Sequence, residues 1–146
     1  MERRLLVEYL DNFLERGDEC AYVQHCGYRI VRWSYRHVAE TAFQFARELE
    51  SRGIAKSDRV VLWGPNSAEW VTVFLGCALH GVVVVPMDDA ATDDFVLRIY
   101  QQVTTKLLVF SREHLQSSMA ALAIEDLPET LPAVMRRLYD EFGIEY

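Results

Sequence analysis

Apolar residues first recur at helical spacing. Leu6, Tyr9, Leu10, Phe13 and Leu14 form one stripe and predict a helix over 5–16, which Gly17-Asp18 stops. Ala21–Gln24 and Tyr28–Trp33 then read as two strands of a short hairpin around His25-Cys26-Gly27, with Gly where positive φ is expected. Ser34 is placed to cap the next helix, because its hydroxyl oxygen can accept a free helix N–H. That helix runs to about Arg52. Val38, Ala42, Phe45, Ala46 and Leu49 make its buried face, and Gly53 supplies the left-handed turn that ends it.

The period changes in the centre of the chain. Arg59–Trp63 is a strand, and Gly64-Pro65-Asn66-Ser67 is a tight connection. Asn66 with Glu69 fits a capping box and opens a helix that ends at His80, before Gly81. Val82–Pro86 is a β-branched run without polar alternation, as expected of a parallel strand covered on both faces. Thr92 is read as the cap of a third helix, with Asp93 and Asp94 at its positive end and Phe95, Ile99 and Val103 as its stripe. Lys106–Phe110 is another strand. Strand, helix, strand, helix, strand at this spacing means an α/β fold. It has a parallel sheet of βαβαβ units, flanking helices and a small N-terminal hairpin. Beyond Ser111 the pattern weakens. Arg112–Ser118 reads as a helical turn, Ile124–Leu127 leads to Pro128, and Leu131–Phe142 is amphipathic.

The helix over 67–80 stands apart. Its apolar residues cover nearly the whole circumference, leaving Glu69, Thr72 and His80 as its clearly polar positions. A helix apolar all round is buried all round. One sheet covers one side, so something else must cover the other. The expected covers are Leu131–Phe142, a second copy in a homodimer, or the remainder of a larger protein.

Composition narrows the function classes. The chain has 146 residues and a formal charge of −7, with no basic block, which disfavours a nucleic-acid partner. No apolar run is long enough for a membrane span. Met1-Glu2-Arg3-Arg4 leads into mixed polar sequence and not a signal peptide, so a cytoplasmic protein of one domain over 1–146 is expected. Cys20, Cys26 and Cys77 have no metal-site spacing and are read as buried, inert thiols. His25, His37, His80 and His114 form no metal-binding pair.

Candidate chemistry belongs at the carboxyl ends of the parallel strands. Trp63-Gly64-Pro65-Asn66-Ser67 is neither a dinucleotide nor a phosphate-loop fingerprint, and Pro65 removes an N–H; it reads as a turn and helix cap. Asp88-Asp89 could bind a cation, but successive extended residues point opposite ways, so a solvated turn is favoured. Ser111 with His114 is explained by a helix cap. Arg29, Arg32 and Arg36 are a candidate cationic patch, and Trp33, Trp63 and Trp70 a candidate stacking platform that reads better as core. No residue is assigned a catalytic, cofactor-binding or metal-binding role.

The order of these segments is nonetheless familiar. Trp33-Ser34-Tyr35, then Gly53-Ile54 and Ser57-Asp58-Arg59-Val60, then Pro65-Asn66-Ser67-Ala68-Glu69-Trp70, Phe74-Leu75-Gly76-Cys77 and Gly81–Asp88 match, in order, segments of adenylate-forming enzymes. Lys106-Leu107-Leu108-Val109 resembles the strand that follows. Residues from about 20 to 115 thus resemble the AMP-binding acyl-CoA synthetase family, including its long-chain fatty-acid branch. The resemblance implies a parent enzyme that uses ATP, Mg²⁺ and CoA to turn a fatty acid into acyl-CoA, AMP and pyrophosphate. The family's phosphate loop, ribose-binding Asp and catalytic Lys all follow the region present here, and Ser57 replaces a usual Gly. The chain is therefore expected to be an N-terminal scaffold piece, inactive alone. A stand-alone interaction module is the alternative, and a flavodoxin-like binding domain is a poorer third.

Overall fold

The computed structural model describes residues 5–110 and 120–123. The readings placed on 1–4, Arg112–Ser118, Ser111 with His114, Ile124–Leu127 and Leu131–Phe142 lie outside the described residues.

A short 3-10 turn at Leu6–Glu8 leads into α1 (Tyr9–Arg16), which Gly17 ends at φ 57°. The helix is shallower than its pattern implied. Only Leu10 is buried and Phe13 is half-buried, while Leu6, Tyr9 and Leu14 are exposed. Two turns of helix lying at the margin of the fold can seat only one or two side chains beneath them.

β1 (Cys20–Cys26) and β2 (Arg29–Ser34) pair antiparallel, with Cys26 opposite Arg29, so the connection is Gly27-Tyr28 and one residue tighter than expected. Gly27 takes φ 61°, which its missing Cβ permits. Ser34 caps α2 (Tyr35–Ser51) as anticipated, its Oγ accepting from the His37 N–H at 3.1 Å.

β3 (Arg59–Trp63), α3 (Ala68–His80), β4 (Val83–Met87), α4 (Asp93–Gln102) and β5 (Leu107–Phe110) form the βαβαβ unit. β3 pairs parallel with both β4 and β5, and β6 (Ala120–Ala123) adds antiparallel to β5, giving the order β4-β3-β5-β6. The antiparallel β6 was not foreseen. Because the first crossover steps to one side of β3 and the second to the other, right-handed connections place α3 and α4 on opposite faces. Alternation along β3 follows: Val60 and Leu62 pack on the α3 side, and Val61 joins Met87, Val96, Tyr100 and Leu108 on the α4 side. The working stripe of α4 is Val96–Tyr100 and not Phe95, which is exposed. Thr92 occupies the cap position of α4 but makes no side-chain cap bond.

β4 is parallel, as read from the valine run, and both its faces are covered, Val84 packing on the α3 side and Val85 on the α4 side. It is an edge strand among the described residues, with Val83 and Pro86 exposed and only Met87 buried. A run of valines marks apolar surroundings but does not say how many neighbours the strand has.

The cover over α3 differs from every one expected. No residue of α3 is exposed. Its far face is met by α2, through Val38, Ala39 and Ala42 packed with Ala68 and Leu75. Gly76 lets the helices touch: a Cβ there would sit 2.8 Å from the Ala42 carbonyl oxygen and 3.0 Å from Phe45 Cδ1. The cover therefore lies within the chain and needs neither a second copy nor 131–142. The layers run α4, sheet, α3, α2. Gly81 ends α3 at φ 80° in the left-handed region, as expected.

Candidate functional site

β3 and β4 are neighbours whose following loops leave to opposite faces of the sheet. The crevice at their carboxyl ends is where open α/β sheets bind ligands. Here it is occupied by the protein's own groups. The Trp63 indole N–H crosses from β3 and donates to the Asp88 carbonyl beyond β4 at 3.0 Å. Asp88 Oδ1 accepts from the Ala90 N–H at 2.8 Å, which turns the chain toward α4. Asp88 is thus a turn former, and Asp89 is exposed beside it.

The amino end of α3 is filled in the same way. Ser67, and not Asn66, is the cap: it has φ −146° and its Oγ accepts from the Trp70 N–H at 3.0 Å. Glu69 does not fold back to complete a capping box. Its Oε2 accepts from Gln24 Nε2 at 3.0 Å, while Gln24 Oε1 accepts from the Ala68 N–H. Gln24 on β1 therefore clamps the hairpin to α3 and takes a helix N–H that an anion would otherwise use. Nothing in the sequence flagged Gln24, because its partners are 44 and 45 residues away.

The charges agree with a closed site. Glu69, Asp88, Asp89 and Asp94 border this end of the sheet, whereas Lys56, Arg59 and Lys106 stand at the amino ends of the strands. A phosphate would meet acids, and the Ala68 and Trp70 N–H groups already have acceptors.

The other candidates disperse. Arg36 lies on α2 and pairs with Asp18 at 3.3 Å. Arg29 and Arg32 are three apart on β2 and so face opposite sides of the ribbon, which leaves no three-arginine patch. Trp33 is buried, Trp70 stacks on Phe74 with centroids 5.4 Å apart, and Trp63 bridges the crevice, so the tryptophans form no platform. Cys77 is buried, and burial pushes its thiol up to about 12. Cys20 and Cys26 are exposed, against the expectation of buried thiols, because both lie at the ends of a hairpin strand. Burial also pushes the Tyr100 hydroxyl up, within the core under α4. Among the described residues no three His, Cys, Asp or Glu side chains could share a metal ion.

Kinship carries what this geometry does not. The profile of the AMP-binding enzyme family matches residues 11–142. A Rhodococcus jostii ligase that joins CoA to a methyl-dioxo-octahydroindenyl propanoyl group is 30% identical over 107 residues, covering 73% of this chain and 21% of that protein. A mitochondrial medium-chain acyl-CoA ligase from Macaca fascicularis is 31% identical over 83 residues, covering 57% of this chain and 13% of its own length. The inhibitor-bound N-terminal domain of FACL13 from Mycobacterium tuberculosis superposes with a TM-score of 0.67 at 28% identity, over 77% of this chain and 28% of that one. The chain thus spans about a fifth or less of the curated relatives' length, and no helix among its described residues is long and apolar enough to cross a membrane. With the family profile matched over most of its length and the βαβαβ unit superposing on an N-terminal ligase domain, the chain belongs to the AMP-binding enzyme family.

Proposed function

We propose that this chain is the N-terminal scaffold of an ATP-dependent acyl-CoA synthetase, a single domain over 1–146 that is inactive alone. The parent reaction joins a fatty acid to CoA, with ATP cleaved to AMP and pyrophosphate. The observation that carries this reading is the family match over 11–142 with acyl-CoA ligases among the relatives. The chain supplies the β3–β4–β5 sheet and part of the wall of the acyl pocket; the remainder of the ligase supplies the chemistry.

ATP and Mg²⁺ belong to that parent. The start of α3 does not fit a triphosphate: the Ala68 and Trp70 N–H groups already have protein acceptors, and the charged side chain beside them is the acid Glu69. Calorimetry with MgATP should give no binding at micromolar nucleotide, with or without fatty acid. A micromolar dissociation constant would defeat the scaffold reading. Sequencing the gene past the codon for Tyr146 is the companion test. A Ser/Thr/Gly-rich loop ending in Pro-Lys-Gly supports the ligase fragment, and a stop codon supports the stand-alone interaction module. The cytoplasm is the proposed compartment; recovery of the tagged chain with another compartment in cell fractionation removes that part of the reading.

A further inference from the structure

The exposed apolar surface of this chain lies away from its most apolar helix, α3. Of the ten exposed large hydrophobic residues among the described ones, eight lie between residues 5 and 31. They fall on two adjoining surfaces of opposite charge. The hairpin ribbon turns Trp33 and Gln24 inward, so Val23, His25, Ile30 and Arg32 share its outer face. Tyr28 stands fully exposed at the tip beside Arg29. Residues 20–34 contain no acid at all, in a chain of charge −7. Neither Arg29 nor Arg32 has an ion-pair partner among the described residues.

The preceding segment is the complement. Residues 5–19 hold five acids and one Arg. Glu19 pairs with Arg16 at 2.9 Å and Asp18 with Arg36, which leaves Glu8, Asp11 and Glu15 exposed without a partner among the described residues. Asp11 and Glu15 are one helical turn apart, and Glu8 precedes Asp11 by another, so the three share the face turned away from buried Leu10. Exposed Leu5, Leu6 and Tyr9 lie at the start of the same segment. One surface is apolar and acidic, the other apolar and basic, and neither has its complement among the described residues.

We propose that a second copy of this chain supplies it, the acidic face of α1 in each protomer docking on the outer face of the β1–β2 hairpin of the other. A two-fold axis makes both contacts at once, so each surface is used and the buried area doubles. Apolar side chains provide the affinity, and the charges set the register and oppose the parallel alternative, in which like charges meet. The proposal does not rest on the ligase reading; it concerns the hairpin face opposite to the one that carries Gln24 onto α3.

Sedimentation velocity on the 146-residue chain tests it, from micromolar to millimolar concentration. The expected result is a reversible monomer–dimer equilibrium that weakens as salt rises. Arg32→Glu on the hairpin's outer face should weaken it about fivefold, and so should Asp11→Arg with Glu15→Arg. All three positions are exposed, and circular dichroism should show both variants folded. The decisive arm mixes the two variants. Each is like-charged against itself, yet together they restore both contacts, so an equimolar mixture should dimerise like the parent chain. Four outcomes would overturn the proposal: a monomer at every concentration, a dimer indifferent to the reversals, a dimer abolished instead by Val83→Lys on the sheet edge, or a mixture that stays monomeric.

Discussion

Two regions of this molecule solve the same problem in opposite ways. Around α3, apolar residues are stacked so that the helix exposes no residue: the sheet covers one side and α2 the other. Around α1 and the hairpin, the chain seats Leu10 and Trp33 and leaves most other large apolar groups wet. The difference lies in how many neighbours each element has. α3 is central in the layer order and can bury its whole circumference. α1 and the hairpin are outermost, so each has one buried side and one free side.

That contrast can be broken most sharply at its centre. Leu62 is 1% exposed in the middle strand of the sheet. Leu62→Ala should lower the unfolding free energy by about 3 kcal/mol in urea titration, from lost transfer energy plus a residual cavity. A change below about 1 kcal/mol would show that the core is looser than its burial implies. Gly76→Ala comes next. The added Cβ would press on the Ala42 carbonyl and the Phe45 ring, and overpacking should cost about 2 kcal/mol net of the better helix propensity of Ala. If the variant is more stable than the parent chain, the α2–α3 contact is not as close as drawn. Gly81→Ala should cost about 1 kcal/mol because a Cβ resists φ 80°. An unchanged transition midpoint would mean that another residue ends the helix. At the outer surface, Ile30→Ser should move monomer stability by less than about 0.5 kcal/mol, since Ile30 is 57% exposed. A large loss there would place the hairpin's outer face in the core.

Thiol chemistry sharpens the same contrast without a mutation. Cys20 and Cys26 should react with a disulfide reagent at mildly alkaline pH, and Cys77 only on unfolding. The Cys77 thiolate is disfavoured in the folded chain alone. The stability linked to it is therefore complete below the ordinary thiol value of 9.0 and lost as pH rises toward about 12. Three equally fast thiols in the native protein would refute the burial of α3.

The sequence was legible where one local rule decides the outcome. Ser34 at a strand–helix junction, Gly81 after an apolar helix and the βαβαβ spacing all appear in the structure as read. It was misleading where the outcome depends on a distant neighbour. The valine run of β4 gives no sign of being an edge, because edge or centre is decided by where β5 goes. The capping box written by Asn66 and Glu69 lost Glu69 to Gln24, and Ser67 took the cap. The cover over α3 was expected from Leu131–Phe142, a second copy or the rest of a larger protein, because nothing local to Val38 or Ala42 says which helix they will meet. At the candidate site, the absence of a phosphate fingerprint between Gly64 and Ser67 was readable residue by residue. The indole that closes the crevice was not, since Asp88 lies 25 residues beyond Trp63.

The strand order has a consequence for how such a chain can be made. Of the four strands of this sheet, β3 leaves the ribosome first, and β4 and β5 both pair with it. β4 arrives next and takes one flank; β5 takes the other, and β6 extends that flank. No strand ever has to be threaded between two that are already paired. A ribosome can therefore release this segment in the order in which it assembles, each new piece finding a free border. The α2–α3 pair, joined through Gly76, is complete before the second crossover emerges, so the nascent sheet has an apolar wall at its back from its earliest moments.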